Sequence, residues 1–201
     1  MNINHIKKEG LEYIFIDGLY DDKQLKDIKI EIKKLIFQAI SSDEKVIGTA
    51  IDSHSGKPLK DNKSLWVDSI YATNRNDSVI LNNNRIIFDS GLIQILKSFN
   101  AYFGSLEMSN YDTTLLNYYA DEQQYKAHRD KSLLTVLTFF KIGNFTGGEL
   151  VFPEYKEVIP FKENSMVMFP GCITHATKPI KTKNKKSYRV SMAQFVNYKI
   201  I

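Results

Sequence analysis

With a single cysteine, Cys172, the chain can form no internal disulfide and no multi-cysteine zinc site. No stretch reaches the roughly 20 uninterrupted apolar residues that a membrane-spanning helix requires, and the opening MNINHIKKEG has no apolar signal core. The expectation is a soluble, cytoplasmic protein with no membrane partner. Charge of one sign is also scarce, since the net +4 is spread along the chain. Its one concentration, Lys181, Lys183, Lys185 and Lys186, is interrupted by Thr182 and Asn184 and reads as a solvated hairpin tip, so nucleic acid is not an expected partner. Nothing in the sequence fixes an oligomeric state. Repeats, low-complexity tracts and linkers are absent, and 201 residues of 43% hydrophobic composition suffice for one domain.

The first half (1–107) is expected to supply a strand, support helices and loops. Glu12 to Ile16 reads as a strand; Asp17-Gly18, then Asp21 and Asp22, supply a turn and an N-cap. In the helix that follows, Leu25, Ile28, Ile32, Leu35, Ile36 and Ala39 recur at steps of three and four, with lysines between them. Residues 41–85 are polar and read as long loops with a short strand; Trp66, Tyr71 and Arg75 are candidates for a lid over a site. A second helix is expected over Ser90 to Phe103, with Leu92, Ile95, Leu96, Phe99, Tyr102 and Phe103 on one face. From Met108 onward, eight short runs rich in Tyr, Phe, Val, Thr and Ile are separated by turn residues, the texture of an antiparallel sandwich or jelly roll. The fold expected is α+β but mainly β, a jelly-roll core over 108–201.

Two strand pairs carry the chemistry. In His128-Arg129-Asp130, residues i and i+2 share a face, so an imidazole and a carboxylate can grip one metal ion while Arg129 points away. His175 is the downstream histidine able to add a third ligand, and two histidines with one carboxylate form the facial triad of non-haem Fe(II) oxygenases. Alone the triplet is weak, because a chain with 4 histidines and many acids produces one by chance. The second pair is Arg189 and Ser191 in the apolar strand Tyr188-Arg-Val-Ser-Met192. An interior guanidinium there needs a buried anion, which a dicarboxylate chelating the metal at its other end would supply. The remaining histidines, His5 in a frayed tail and His54 in a polar loop, read as solvent-exposed, and Cys172 as a buried inert thiol. Gly147 and Gly148 read as turn or bulge residues without chemistry.

Five elements in order then carry a resemblance: Tyr119-Ala-Asp-Glu-Gln-Gln-Tyr125-Lys-Ala-His128-Arg-Asp130, the long strand Leu133 to Phe140, Phe145-Thr-Gly-Gly-Glu-Leu-Val-Phe152, Asn164-Ser-Met-Val-Met-Phe-Pro-Gly171 before His175, and Arg189-Val-Ser191. From about Tyr118 to Phe195 the chain resembles the prolyl-4-hydroxylase-like branch of the 2-oxoglutarate/Fe(II) dioxygenases, which have a double-stranded β-helix fold with support helices. Two departures are Glu122, where the family has glycine, and a longer interval between His175 and Arg189. The resemblance implies that His128, Asp130 and His175 bind Fe(II), that Arg189 with Ser191 pairs with the distal carboxylate of 2-oxoglutarate, and that Tyr119 hydrogen-bonds the co-substrate unless it is a core tyrosine. Thr135 is a weaker candidate for the same role. O2 is the other co-substrate, and ascorbate an optional reductant. Asp130 stands where halogenating relatives have a small residue, so hydroxylation is implied, with a prolyl or other amino-acid side chain, free or in a peptide, as first choice of substrate. Two other readings are a nucleic-acid dealkylase, disfavoured because Met192-Ala-Gln-Phe195 lacks that group's second arginine, and a non-catalytic cupin-like jelly roll.

Overall fold

Antiparallel strands dominate the computed structural model, which describes residues 1–41, 48–109 and 111–198. The strands are β1 (Asn2–Lys8), β2 (Leu11–Asp17), β3 (Lys63–Trp66), β4 (Tyr111–Tyr119), β5 (Tyr125–His128), β6 (Leu134–Ile142), β7 (Thr146–Gly147), β8 (Leu150–Phe152), β9 (Glu157–Ile159), β10 (Ser165–Pro170), β11 (His175–Thr177), β12 (Ile180–Lys181) and β13 (Tyr188–Asn197). A seven-stranded sheet runs β1-β2-β10-β6-β13-β4-β3, and a smaller one runs β5-β11-β8-β9. The helices are α1 (Asp22–Ser41), α2 (Val67–Ile70), α3 (Val79–Asn83), α4 (Ser90–Phe99) and α5 (Ala101–Gly104). This is the expected jelly roll with support helices, and none of the described helices is long and apolar enough to cross a membrane.

Alternation along the central strands builds two cores. Leu134, Val136 and Phe140 of β6, with Val190, Met192 and Val196 of β13, pack on the helices. The intervening Leu137, Phe139 and Ala193 face the smaller sheet with Leu150, Phe152 and Phe169. The α1 stripe is buried as expected at Ile28, Ile32, Leu35, Ile36 and Ala39, with Leu25 packed at its edge. Its start is a reciprocal cap, in which the Gln24 amide donates to Asp21 Oδ1 and the Asp21 amide to Gln24 Oε1. Glu31 of α1 is buried and accepts from Ser78 Oγ at 2.8 Å and the Ile80 amide at 2.9 Å, fixing α3.

Several expectations are corrected here. His5 lies in β1, bonded to Glu12 at 2.6 Å and stacked on Phe99, not in a frayed tail. The second helix breaks at Asn100, whose extended backbone caps α5 through Oδ1; Ile95, Phe99 and Tyr102 are exposed, and Ile93 is buried. Within 41–85 the expected short strand is β3, paired with β4, and the helices α2 and α3 stand where loops are expected. Arg75 is bound to Asp68 and Asp112, and Tyr71 packs on the helical core, so neither is a lid residue. Residues 42–47 of the expected lid lie outside the described residues. The four lysines of the 181–186 run are exposed, as a solvated tip requires.

Candidate metal and co-substrate site

Pairing of β5 with β11 sets His175 directly opposite His128, with ring centroids 4.3 Å apart. Asp130 follows two residues beyond the end of β5, its amide donating to the Gly171 carbonyl at 2.8 Å. Its carboxylate oxygens lie 3.8 Å from His128 Nε2 and 3.4 Å from His175 Nε2, and the three ligand atoms fall within 4.8 Å of one another. Both Nδ1 atoms are engaged with backbone carbonyls, His128 with Lys126 at 2.8 Å and His175 with Ile173 at 3.0 Å. Donation from Nδ1 leaves each Nε2 with its lone pair toward the common centre. Burial, with the neighbouring His175 second, pushes His128 down to about 3, and burial also lowers His175 against the pull of Asp130. Both imidazoles are therefore neutral at physiological pH, the state a metal requires. Tyr125 stacks flat on His128 at 3.5 Å, and Phe169 meets His175 edge-on.

Thr135 departs from expectation. Its Oγ1 donates to Asp130 Oδ2 at 2.7 Å and meets Ser132 Oγ at 2.9 Å, so it orients the carboxylate and does not line the cavity. Cys172 is exposed, because the turn between β10 and β11 carries it outward, against the expected burial. Arg129 points away as expected, to Thr174 and Glu154 on the rim.

From the triad a narrow cavity runs between the sheets, lined by Asn117, Tyr119, Tyr125, Thr177 and Ser191 among others. Arg189 lies next to it, fully buried, beside Tyr119 on β4, its Cζ 5.0 Å from the Tyr119 ring and 4.9 Å from that of Phe139. Nε donates to the Gly148 carbonyl at 2.8 Å, whereas Nη1 and Nη2 have no hydrogen-bond partner among the described residues. Burial lowers its pKa only to about 10, so the guanidinium stays charged. A charged, buried fork with both terminal nitrogens unmet fits one end of a dicarboxylate, and the two neutral imidazoles with one carboxylate fit Fe(II). Tyr119, raised to about 12 by burial, is held to Thr177.

Gly148 is more than a turn residue. At φ +79° its absent Cβ leaves room for Arg189 Cδ, which a Cβ would meet at 2.8 Å. Glu122, where the family has glycine, adopts φ +61°, so the backbone keeps the left-handed turn despite the substitution. Lys60, Asn62, Ser64 and Asn117 form a buried polar cluster that the sequence did not announce: Lys60 Nζ donates to Ser64 Oγ at 2.8 Å and to Asn117 Oδ1 at 3.1 Å. Burial pulls the Lys60 ammonium down to about 7.

Comparison with known proteins agrees with this geometry. Residues 113–197 match the sequence model of the 2OG-Fe(II) oxygenase superfamily. No curated protein sequence matches the chain. Among solved structures, a prolyl-4-hydroxylase from Pseudomonas putida superposes with a TM-score of 0.61 at 9% identity, over 94% of this chain and 93% of that one. A Trichoplax adhaerens prolyl hydroxylase, solved with a hypoxia inducible factor peptide fragment, gives 0.57 at 13% identity, over 92% and 83%. At such identities these likenesses establish the double-stranded β-helix fold. The triad and the unmet guanidinium fall within 113–197, the segment that matches the 2OG-Fe(II) oxygenase superfamily model, on a fold shared with solved prolyl hydroxylases.

Proposed function

We propose that His128, Asp130 and His175 hold Fe(II), that Arg189, Ser191 and Tyr119 take 2-oxoglutarate, and that the enzyme hydroxylates an unactivated C–H bond of an amino-acid side chain, free or in a peptide. The observation that carries the co-substrate assignment is the pair of unmet Arg189 Nη atoms, because a buried cation left unpaired costs several kcal/mol and an anion removes that cost. When bound, Fe(II) and 2-oxoglutarate supply the oxidising chemistry, in which one oxygen atom of O2 ends in succinate beside released CO2 and the other in the hydroxylated product.

The chain's own contribution is positional. Nδ1 bonds to Lys126 and Ile173 fix the tautomers, and Thr135 turns Asp130. Substrate access is supported by an open cleft that shares Gly48, Tyr125, Asp130 and Phe195 with the inner cavity and adds Trp66, Lys131 and Asn197. Aromatic walls, with Trp66 and Phe195 at 5.8 Å, suit an apolar ring or aliphatic side chain beside the metal. Lys131 at its edge suits a peptide carbonyl or carboxylate. The lysines of the 181–186 run do not line this cleft, which disfavours a nucleic-acid substrate.

Conversion of 2-oxoglutarate to succinate, measured with Fe(II) aerobically and anaerobically, is the test. Oxygen-dependent turnover is expected in the wild type, with a loss of 100-fold or more in His128→Ala. Undiminished turnover in that variant would overturn the metal assignment. Stimulation by amino acids, peptides or methylated oligonucleotides in the same assay identifies the substrate class.

A further inference from the structure

Beside Tyr125, whose ring stacks on His128, the cavity wall is backed by an ammonium that no carboxylate meets among the described residues. Lys60 is 5% exposed, and its hydrogen bonds go to neutral oxygens, those of Ser64 and Asn117; the Tyr125 ring lies 5.7 Å away. Three donors converge on Asn117 Oδ1: Lys60 Nζ at 3.1 Å, Ser64 Oγ at 2.7 Å and Asn62 Nδ2 at 3.3 Å. An ammonium offers no acceptor, so the amide atom facing it must be the oxygen, and the orientation of the Asn117 amide is thereby fixed. Nδ2 is left as a donor with no partner among the described residues, on a side chain that lines the cavity. Asn117 sits across from Ser191 on β13 and two residues before Tyr119, on the strand face that carries the co-substrate candidates.

We propose that Lys60 is a positioning residue of the co-substrate cavity: it locks the Asn117 amide so that Nδ2 donates to the bound dicarboxylate, and its protonated form favours that anion. This rests on the reading of the cavity as the 2-oxoglutarate site. A purely structural role is the alternative, and it makes different demands. A structural lysine would lower stability when replaced, whereas a buried ammonium retained for a ligand leaves the ligand-free fold unharmed or more stable when an apolar isostere takes its place.

Calorimetric titration of 2-oxoglutarate into the Mn(II)-loaded protein, with redox-inert Mn(II) standing for iron, separates these. Lys60→Met and Lys60→Gln are expected to weaken 2-oxoglutarate binding about ten- to a hundredfold, the scale of one hydrogen bond and a charge. Mn(II) affinity and the melting temperature of the ligand-free protein should not fall. Lys60→Arg should recover part of the loss. In an Asn117→Ala background, Lys60→Met should cost much less than it does alone, because the residue acts chiefly through that amide. Binding within twofold of wild type in both neutral variants overturns the proposal, as does a loss explained by unfolding of both. Failure of the wild type to bind 2-oxoglutarate at all overturns instead the reading of the site on which it stands.

Discussion

At the scale of single residues, Arg189 makes the sharpest demand. Its guanidinium is fully buried, charged, and satisfied only at Nε. Arg189→Met should therefore raise the melting temperature of the ligand-free protein while weakening 2-oxoglutarate binding at least 100-fold, since removing one partner of a buried ionic pair costs about 3–5 kcal/mol. Thermal unfolding and calorimetry read the two effects separately; a variant that is destabilised yet binds normally would mean the arginine is structural. Why this residue was legible in sequence, and Thr135 less so, is a matter of geometry. A strand's period of two puts Arg189 with Ser191 on one face, and the same spacing brings His128 and Asp130 together, whatever the rest of the chain does. Thr135 reaches Asp130 through the turn at 131–133, and Lys60 reaches Asn117 across 57 positions, so their partners are set by tertiary approach alone. Cys172 follows the same rule, as composition predicts burial on average and a turn reverses it.

At the scale of elements, the hairpin around Gly147 and Gly148 positions the arginine. Both glycines have φ near +80°, and a Cβ at Gly148 would lie 2.8 Å from Arg189 Cδ and from Ile180 Cγ2. Gly148→Ala should destabilise the protein by about 1–3 kcal/mol and displace the guanidinium, weakening 2-oxoglutarate binding. Gly56→Ala is the control: φ is +66° but nothing lies within 4 Å, so the backbone cost appears without a binding defect. Equal behaviour of the two variants in denaturation and binding would remove the packing argument. Helix α1 was readable because one stripe of it is buried along its length, and the long strands β4, β6 and β13 because both faces are buried, which leaves near-continuous runs of strand-forming residues. Strand β1 was not: its pattern is half-exposed throughout, as an edge strand's is, and Asn2, Asn4, Lys7 and Lys8 mask the alternation. The helix break at Asn100 was hidden because apolar residues continue across it, and an N-cap within a run leaves no mark on periodicity.

At the scale of the whole molecule, closing two sheets over the site places two imidazoles where protonation is resisted. Burial, with His175 adding to it, holds His128 down at about 3, whereas in the unfolded chain it titrates near 6.5. Between those values the unfolded chain binds the extra proton, so unfolding is accompanied by proton uptake and stability falls as pH falls. The contribution of this residue is intact above about 6.5 and is lost progressively below it, with a limiting slope of about 1.4 kcal/mol per pH unit. Carboxylates add their own acid sensitivity, but equally in a variant lacking the imidazole. Urea unfolding of ligand-free wild type and His128→Gln at pH 7.5, 6.5 and 5.5 should thus give curves that separate on acidification, the wild type falling faster. Saturating Mn(II) should stabilise the wild type alone, and still do so at pH 5.5, because an imidazole held down at about 3 keeps its Nε2 lone pair free of a proton there. Parallel pH profiles, or equal stabilisation of both proteins by metal, would show that the imidazole is not held neutral for a ligand, and the metal site proposed between β5 and β11 would have to be abandoned.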